Sequence, residues 1–192
     1  MQYSHSVFMN VKQLCEIRMG HSFRCKLESQ PEGPILVIQP KDIPSAGSLS
    51  PTGLCRVNLG SVKRLNKGDV LLINRGRFTA CTFDGTINEP CIATSAFLVF
   101  TPKDPSQLLP EYLALFFNSA EGQNRFKRLT MTTTIPFISL GNLESIEIPV
   151  PPLDVQRKLV DLEHARKRFA HLAARKVELL DNLINMQIAT NN

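Results

Sequence analysis

The side chains with the clearest binding chemistry are cations placed next to predicted turns. Arg75 and Arg77 flank Gly76 in "NRGRF", and Lys41 follows a predicted strand in "QPKDI". Guanidinium and ammonium groups bind phosphate oxygens, and arginine also reads base edges. Loops allow such side chains to enter a groove without disturbing the core. The pattern predicts that these loops contact a nucleic acid, with solvated turns as the alternative.

A second group of cations lies at the end of a predicted helix, just before a threonine run. Arg125, Lys127 and Arg128 are followed within a few residues by three small hydroxyls. These hydroxyls are Thr132, Thr133 and Thr134. Cations beside hydroxyls suit positioning on a phosphate backbone, and a solvated helix face is the alternative. Arg24 and Lys26, on a segment predicted to be a strand, are weaker candidates.

Residues that would support catalysis or metal binding do not cluster in the sequence. The histidines are scattered, at His5, His21, His164 and His171. The segment "NEPC" (88–91) lacks the second proline and the aromatic residue of an amino-methyltransferase loop, and "PKD" (102–104) lacks the E-x-K of a metal-dependent nuclease. No P-loop or G-x-G turn occurs. We therefore expect no enzyme, no cofactor and no metal; an enzyme with an unfamiliar site is a minor alternative.

Composition is ordinary for a globular protein with a mild basic excess. The 192 residues are 43% hydrophobic and 20% charged, with a formal net charge of +5 and a pI near 9.1. This excess suits a polyanionic partner. The longest apolar runs are too short to span a bilayer, and "MQYSHSVFMN" (1–10) has neither the basic start nor the long apolar core expected of a secretory signal. Five widely spaced cysteines without a C-x-x-C pair predict reduced thiols, and the cytoplasm is the expected location.

Residues 1–152 are predicted to form a mixed α and β domain. Short β-branched and aromatic segments separated by turn signals indicate strands. These segments are "ILVIQP" (35–40), "LCRVNL" (54–59), "DVLLIN" (69–74), "FTACTF" (78–83), "AFLVFT" (96–101) and "ESIEIP" (144–149). A helical segment extends from Pro110 to Leu129, and Gly122 is predicted to split it in two.

Residues 153–192 are predicted to form one long helix behind a proline-rich hinge. The hinge prolines are Pro149, Pro151 and Pro152, and no glycine or proline occurs from Asp154 to Met186. The stripe predicted to pair comprises Leu159, Leu162, Phe169, Ala173, Leu180 and Leu183. A strict heptad would also place Arg166 and Lys176 in this seam. We expect the helix to protrude and pair with another helix; a surface helix packed on its own domain is the alternative.

Several sequence blocks, in order, resemble the specificity subunits of type I restriction–modification systems. The strongest block is "TTTIPFISLGNLESIEIPVPPLDVQRKLV" (132–160), in which Gln156 matches a family glutamine and Val155 replaces the usual glutamate. Upstream blocks are "VKQLCEIRMGHSF" (11–23), "VIQPKDI" (37–43), "LNKGDVLLINRGRF" (65–78) and "LPEYLALFFNSAEGQNRF" (109–126). The resemblance covers nearly the whole chain.

The resemblance implies an α+β fold: a globular mixed-sheet target recognition domain (1–152) followed by a spacer helix (153–192) that pairs as an antiparallel coiled coil. The usual subunit carries two such units, whereas this chain contains one. The implied function is non-catalytic recognition of double-stranded DNA. A homodimer joined through the helix would read two inverted half-sites.

The resemblance also implies partners that perform the chemistry. A methyltransferase subunit would dock on this chain, and the restriction subunit would join the complex through the methyltransferase subunit. These two partner subunits would carry the S-adenosylmethionine and ATP sites. The alternative is an orphan or truncated recognition module that pairs with a full-length specificity subunit or another helix without directing methylation itself.

Overall fold

A computed structural model of the protein describes residues 7–44, 48–130 and 136–190. The strands in these ranges are β1 (Val7–Asn10), β2 (Cys15–Met19), β3 (Ile35–Ile38), β4 (Cys55–Val57), β5 (Val70–Ile73), β6 (Ala80–Thr82), β7 (Cys91–Ala93), β8 (Phe97–Pro102) and β9 (Glu147–Val150). The α-helices are α1 (Val11–Leu14), α2 (Pro110–Asn118), α3 (Ala120–Leu129), α4 (Leu140–Glu144) and α5 (Leu153–Thr190), and a 3₁₀ turn spans Pro40–Asp42. The predicted α+β class with a long C-terminal helix is confirmed.

The largest sheet is antiparallel and has the strand order β2-β8-β5-β6. Its two central strands are apolar and buried over Val70–Ile73 and Phe97–Phe100 because both faces of the sheet are covered there. Val70 and Leu72 of β5 point into a core shared with α2 and α3, while Leu71 and Ile73 point into a second core. This burial explains the unbroken apolar run in "DVLLIN".

A smaller mixed sheet, with the order β4-β3-β7, closes the second core from the other side. Strand β3 pairs antiparallel with β4 and parallel with β7. Leu36 and Ile38 face the second core, and Ile35 and Val37 face a third cluster under the loops. The remaining strands, β1 and β9, form a separate antiparallel ribbon.

All six predicted strands are present, although their ends differ from the prediction by up to three residues. The last of them begins at Glu147 rather than at Glu144, which ends α4. The sequence pattern did not predict β1, β2 and β7. These short strands pair with β9, β8 and β3, which are distant along the chain, so tertiary pairing rather than local periodicity creates them.

The 110–129 segment is divided into two helices, as predicted, but the break is not at Gly122. Helix α2 ends at Asn118, and the Ser119 hydroxyl caps α3 by accepting from the Gly122 N–H at 3.1 Å. Gly122 lies inside α3, where a Cβ atom would stand 2.2 Å from the Phe116 carbonyl oxygen. Glycine is required because the chain folds closely back on the end of α2, not because the helix breaks there.

Helix α5 begins directly after the predicted proline hinge and extends for 38 residues, about 57 Å at 1.5 Å per residue. Val160 and Gln156 are buried against the globular body, whereas every residue from Arg168 to Ala189 is exposed. Phe169 is 74% exposed and Leu162 67%. The alternative of a helix packed along its own domain is therefore wrong. Within the described ranges, no helix combines the length and apolarity needed to cross a membrane.

Candidate nucleic-acid interface

The two arginines of "NRGRF" lie on a tight turn after β5. Gly76 adopts a positive φ of 78°, which explains the glycine between them. The Gly76 N–H donates to the Pro136 carbonyl at 2.8 Å, and the Arg75 guanidinium lies 5.4 Å from the centre of the Phe137 ring. Arg75 is exposed. These two contacts hold the turn against the chain segment that begins at Pro136.

Arg77 is engaged with the protein backbone. Its guanidinium donates to the Pro40 carbonyl at 2.6 Å and also to the Ile43 carbonyl. These two acceptors bracket the 3₁₀ turn that carries Lys41. The Asp42 carboxylate closes the same turn by accepting from the Gln39 N–H at 2.8 Å. Arg77 thus orders the Lys41 turn, and its contact with phosphate stays a prediction.

Lys41 is the exposed cation on this ordered turn. Among the described residues it has no hydrogen-bonding or ion-pair partner. A fixed backbone under a free ammonium group favours phosphate binding, because only the side chain must be ordered on binding.

A cleft of about 370 Å³, here called the cationic cleft, lies between the arginine turn and α3. Its lining residues are Gly76, Arg77, Phe78, Thr79, Asn118, Gln123, Lys127, Thr130 and Pro136. The described residues around it include two cations and no carboxylate, so the cleft suits a polyanion. A second groove, at the root of α5, is lined by three carboxylates, Asp84, Glu111 and Glu163, against one lysine, Lys167, so it suits a polyanion less well than the cationic cleft does.

The predicted cations of α3 are divided between two sides of the helix. Lys127 is exposed and lines the cationic cleft. Arg128 is also exposed, but it lines a separate depression beside Glu147. Arg125 pairs with Glu121 at 2.9 Å and donates to the Glu147 carbonyl at 2.5 Å. Its guanidinium links α3 to β9, and its contact with DNA stays a prediction.

Of the remaining predicted residues, the structure describes Arg24 and Lys26 but not the three threonines. Thr132, Thr133 and Thr134 lie outside the described residues. Thr130 and Pro136, the described residues on either side, both line the cationic cleft. Arg24 and Lys26 are exposed on an irregular segment, so their predicted strand is wrong.

Two amide side chains that sequence reasoning missed build one wall of the cleft. Asn118 pairs with both backbone groups of Ala80, at 2.9 and 2.8 Å, and so covers the free edge of β6. Gln123 donates to the Phe78 and Phe117 carbonyls, each at 2.7 Å. In the sequence, both amides lie in the polar second half of the 110–129 segment, whose first half is apolar, and this contrast could have singled them out.

The attachment of the first turn of α5 to the globular body depends on Gln156, which is fully buried. Its Oε1 accepts from the Leu109 N–H at 2.9 Å, and its Nε2 donates to the Gln107 and Pro151 carbonyls at 2.8 Å each. The glutamine that carried the resemblance therefore hydrogen-bonds the first turn of α5 to the globular body.

Most cations of α5 pair along their own helix. Arg166 binds Glu163 through two hydrogen bonds of 2.6 and 2.7 Å, and this guanidinium holds the pKa of Glu163 below its ordinary value. Arg175 pairs with Glu178 at 2.7 Å. In the described part of the chain, no group of three or more His, Cys, Asp or Glu side chains is arranged to hold a metal.

Comparison with known proteins identifies the same family along most of the chain. A family model described as the type I restriction modification DNA specificity domain matches residues 3–164. No curated protein matches the sequence significantly.

Solved structures share the fold. The HsdS subunit from Thermoanaerobacter tengcongensis superposes with a TM-score of 0.62 at 20% identity, over 92% of this chain and 40% of that one. The type I restriction–modification S subunit from M. genitalium gives 0.61 at 18% identity, over 91% and 42%. A chain from a structure of the complex assembly and conformational transition of the type I R-M system gives 0.64 at 19% identity, over 93% and 42%. This chain therefore spans about two fifths of those chains.

Proposed function

The chain belongs to the family of type I restriction–modification DNA specificity domains, and from that premise we propose that it is a non-catalytic subunit that reads one half-site of a bipartite DNA target. In this proposal a dimer joined through α5 presents two recognition domains to an inverted repeat. The same dimer docks a methyltransferase subunit and, through it, a restriction subunit. The proposal places the protein in the cytoplasm.

The observation that carries the proposal is the cationic cleft beside the Lys41 turn. The cleft offers Arg77 and Lys127 without a lining carboxylate, and Lys41 stands free on a turn that Arg77 orders. Cations on rigid backbone supply the sequence-independent part of DNA binding, while side chains of the neighbouring loops read base edges.

The dimer is supported by the large apolar side chains that α5 leaves exposed. Eleven large apolar side chains between Leu159 and Ile188 are at least 40% exposed. Monomeric proteins rarely leave an apolar surface of this extent open. Because Gln156 fixes the start of α5, a paired helix would set both the separation and the orientation of two recognition domains.

Selection from a randomised duplex library tests DNA recognition. The protein is used alone and after co-expression with the methyltransferase subunit of a type I system, because such a partner can be needed to close around DNA. Recovery of one inverted repeat with a constant gap supports the proposal. Recovery of a single half-site supports the alternative module, and no enrichment under either condition contradicts DNA recognition.

Molecular mass distinguishes the homodimer from that alternative. Light scattering is measured on the whole chain and on a chain truncated after Lys167, which keeps Gln156 and Val160 in their buried places. A dimer that becomes a monomer on truncation supports pairing through α5. A monomer in both cases favours pairing with a different specificity subunit.

A further inference from the structure

The backbone of the turn after β5 is held by a buried asparagine. Asn74 is 3% exposed, and its side-chain amide donates to the Ser95 carbonyl at 3.3 Å. Its backbone N–H donates to the Ala96 carbonyl, and its backbone carbonyl accepts from the Ile138 N–H, each at 3.0 Å. Three hydrogen bonds to one buried residue therefore fix the backbone that leads directly into Arg75.

Arg75 and Phe137 point outward together from this fixed backbone. The two residues face each other across an antiparallel bridge, and opposed residues of such a pair place their side chains on the same face. Their neighbours Asn74 and Ile138 are buried, and successive residues alternate between the two faces. The Arg75 guanidinium carbon lies over the Phe137 ring, 5.4 Å from its centre, which is within the range of a cation–π attraction.

Arg75 differs from the other arginines of the globular body in how its guanidinium is held. Four of them donate to backbone carbonyls; they are Arg18, Arg56, Arg77 and Arg125. Three more are exposed and have no hydrogen-bond, ion-pair or ring contact from the side chain among the described residues; they are Arg24, Arg64 and Arg128. Arg75 has the ring contact, but within the described ranges none of its guanidinium N–H groups has an acceptor. Its side chain is therefore partly ordered before binding, with its donors free.

A guanidinium with free donors matches one base better than the others. Arginine carries five N–H donors in a planar fork and no acceptor. In the major groove guanine presents two acceptors, whereas adenine and thymine each present only one and cytosine presents a donor. Because the Phe137 ring already restrains the Arg75 side chain, less conformational freedom is lost on binding.

The cations that suit phosphate lie on the segments next to this turn. Arg77 orders the turn that carries Lys41 and lines the cationic cleft together with Lys127. Arg75 is not among the described residues that line the cleft. The same turn thus supplies Arg77 to the cleft and Arg75 to the surface outside it. Phosphate contacts on the flanking segments would fix the duplex, and one side chain beside them would be free to read a base.

We propose that Arg75 reads a guanine in the major groove of the half-site, and that Phe137 is the residue that positions its guanidinium. This inference rests on the proposed DNA recognition and adds which residue selects which base.

Selection from the randomised duplex library tests the role of Arg75. The full-length chain and Arg75→Ala are compared under the condition in which the unchanged protein enriches a target. We expect the unchanged protein to enrich guanine at one fixed position of the half-site, and Arg75→Ala to lose that preference on the order of tenfold while other positions keep theirs. The salt dependence should not change, because a base contact neutralises no phosphate. Arg64→Ala removes an exposed arginine without a ring contact and is the control that should keep the preference.

A modified base tests the contact directly. 7-Deazaguanine still pairs with cytosine but lacks one of the two major-groove acceptors. At the selected position it should weaken binding of the unchanged protein on the order of fivefold and leave binding of Arg75→Ala unaltered. Equal weakening of both proteins would show that Arg75 does not contact this guanine.

Phe137→Leu tests the positioning role. The change keeps the guanidinium and an apolar neighbour but removes the ring. We expect it to lose part of the guanine preference at the same position, whereas a merely structural defect would weaken binding to all sequences equally. Full guanine preference in Phe137→Leu would overturn the positioning role.

The outcomes separate this inference from the proposed function. If Arg75→Ala weakens binding to all sequences equally and lowers the salt slope, Arg75 binds phosphate; the guanine reading is then wrong, and DNA recognition stands. An unchanged target, or loss of preference for a base other than guanine, overturns the guanine reading in the same way. If the unchanged protein enriches no sequence with or without the methyltransferase subunit, DNA recognition fails and the guanine reading fails with it.

Discussion

The side-chain amide of Gln156 and the backbone N–H of Leu109 meet at 2.9 Å, and this contact joins the first turn of α5 to the segment that leads into α2. Two further hydrogen bonds from the same amide reach the Gln107 and Pro151 carbonyls. The three partners lie in two separate segments of the chain. One buried side chain therefore determines how the long helix leaves the globular body.

Gln156→Ala tests this attachment of α5 to the globular body. The change leaves buried backbone groups without partners, and we expect the free energy of unfolding to fall by about 2–4 kcal/mol. Thermal or urea unfolding measures the loss. Arg157→Ala, on the exposed side of the same turn, is the control and should change stability by less than about 0.5 kcal/mol. Equal effects of the two changes would contradict the role assigned to Gln156.

Lys41→Ala tests the cation on the turn that Arg77 orders. If the ammonium contacts one phosphate, the change should weaken DNA binding and reduce the slope of log K against log salt by about 0.9. The melting temperature should not change, because Lys41 is exposed. Lys158→Ala on α5 is the matched control and should leave the slope unaltered. An unchanged slope for Lys41→Ala would remove this residue from the interface.

Gly122→Ala tests the close approach of α2 and α3. The added methyl group would collide with the Phe116 carbonyl oxygen, so the backbone must shift, at a cost of about 1–3 kcal/mol in stability. Gly141→Ala in α4 is the control, since a Cβ at that position meets no atom within 4 Å. A stable Gly122→Ala protein would show that the two helices can separate freely.

Leu180→Asp tests pairing through α5. A carboxylate in the seam would lose water without gaining a partner, so we expect a monomer at micromolar protein concentration. Leu179→Asp is the control because its side chain is similarly exposed, 47% against 49%, but points about 100° around the helix from that of Leu180. Light scattering of both variants gives the answer, and a dimeric Leu180→Asp protein would refute the pairing surface.

Thiol reactivity tests the burial of the cysteines. Burial raises the pKa of Cys15 and Cys81 to about 12 and that of Cys91 to about 11, while Cys55 is also buried. Because the thiolate is the reactive form, these thiols should resist a disulfide reagent at pH 8. We expect one fast-reacting thiol per folded chain, lost in Cys25→Ser, and the other four only after unfolding. Several fast thiols in the folded protein would contradict the packing of the core.

Local periodicity determined six of the nine strands in the described residues and the place where the long helix begins. The apolar run "DVLLIN" predicted a buried strand because both faces of β5 are covered. The prolines before Leu153 predicted the start of α5 because proline cannot continue a strand ladder. Such signals depend on residues within a few positions of one another, so one sequence is enough to read them.

Only the tertiary structure decided which cations share a surface. Arg77 reaches a carbonyl 37 residues away, and Arg125 reaches one 22 residues away; both contacts engage guanidinium groups that in the sequence look free. Lys127 and Arg128 are neighbours in sequence but line different clefts, because successive residues of a helix point about 100° apart. Local sequence does not encode which distant carbonyl a long side chain will meet, because that depends on how the sheets and helices pack.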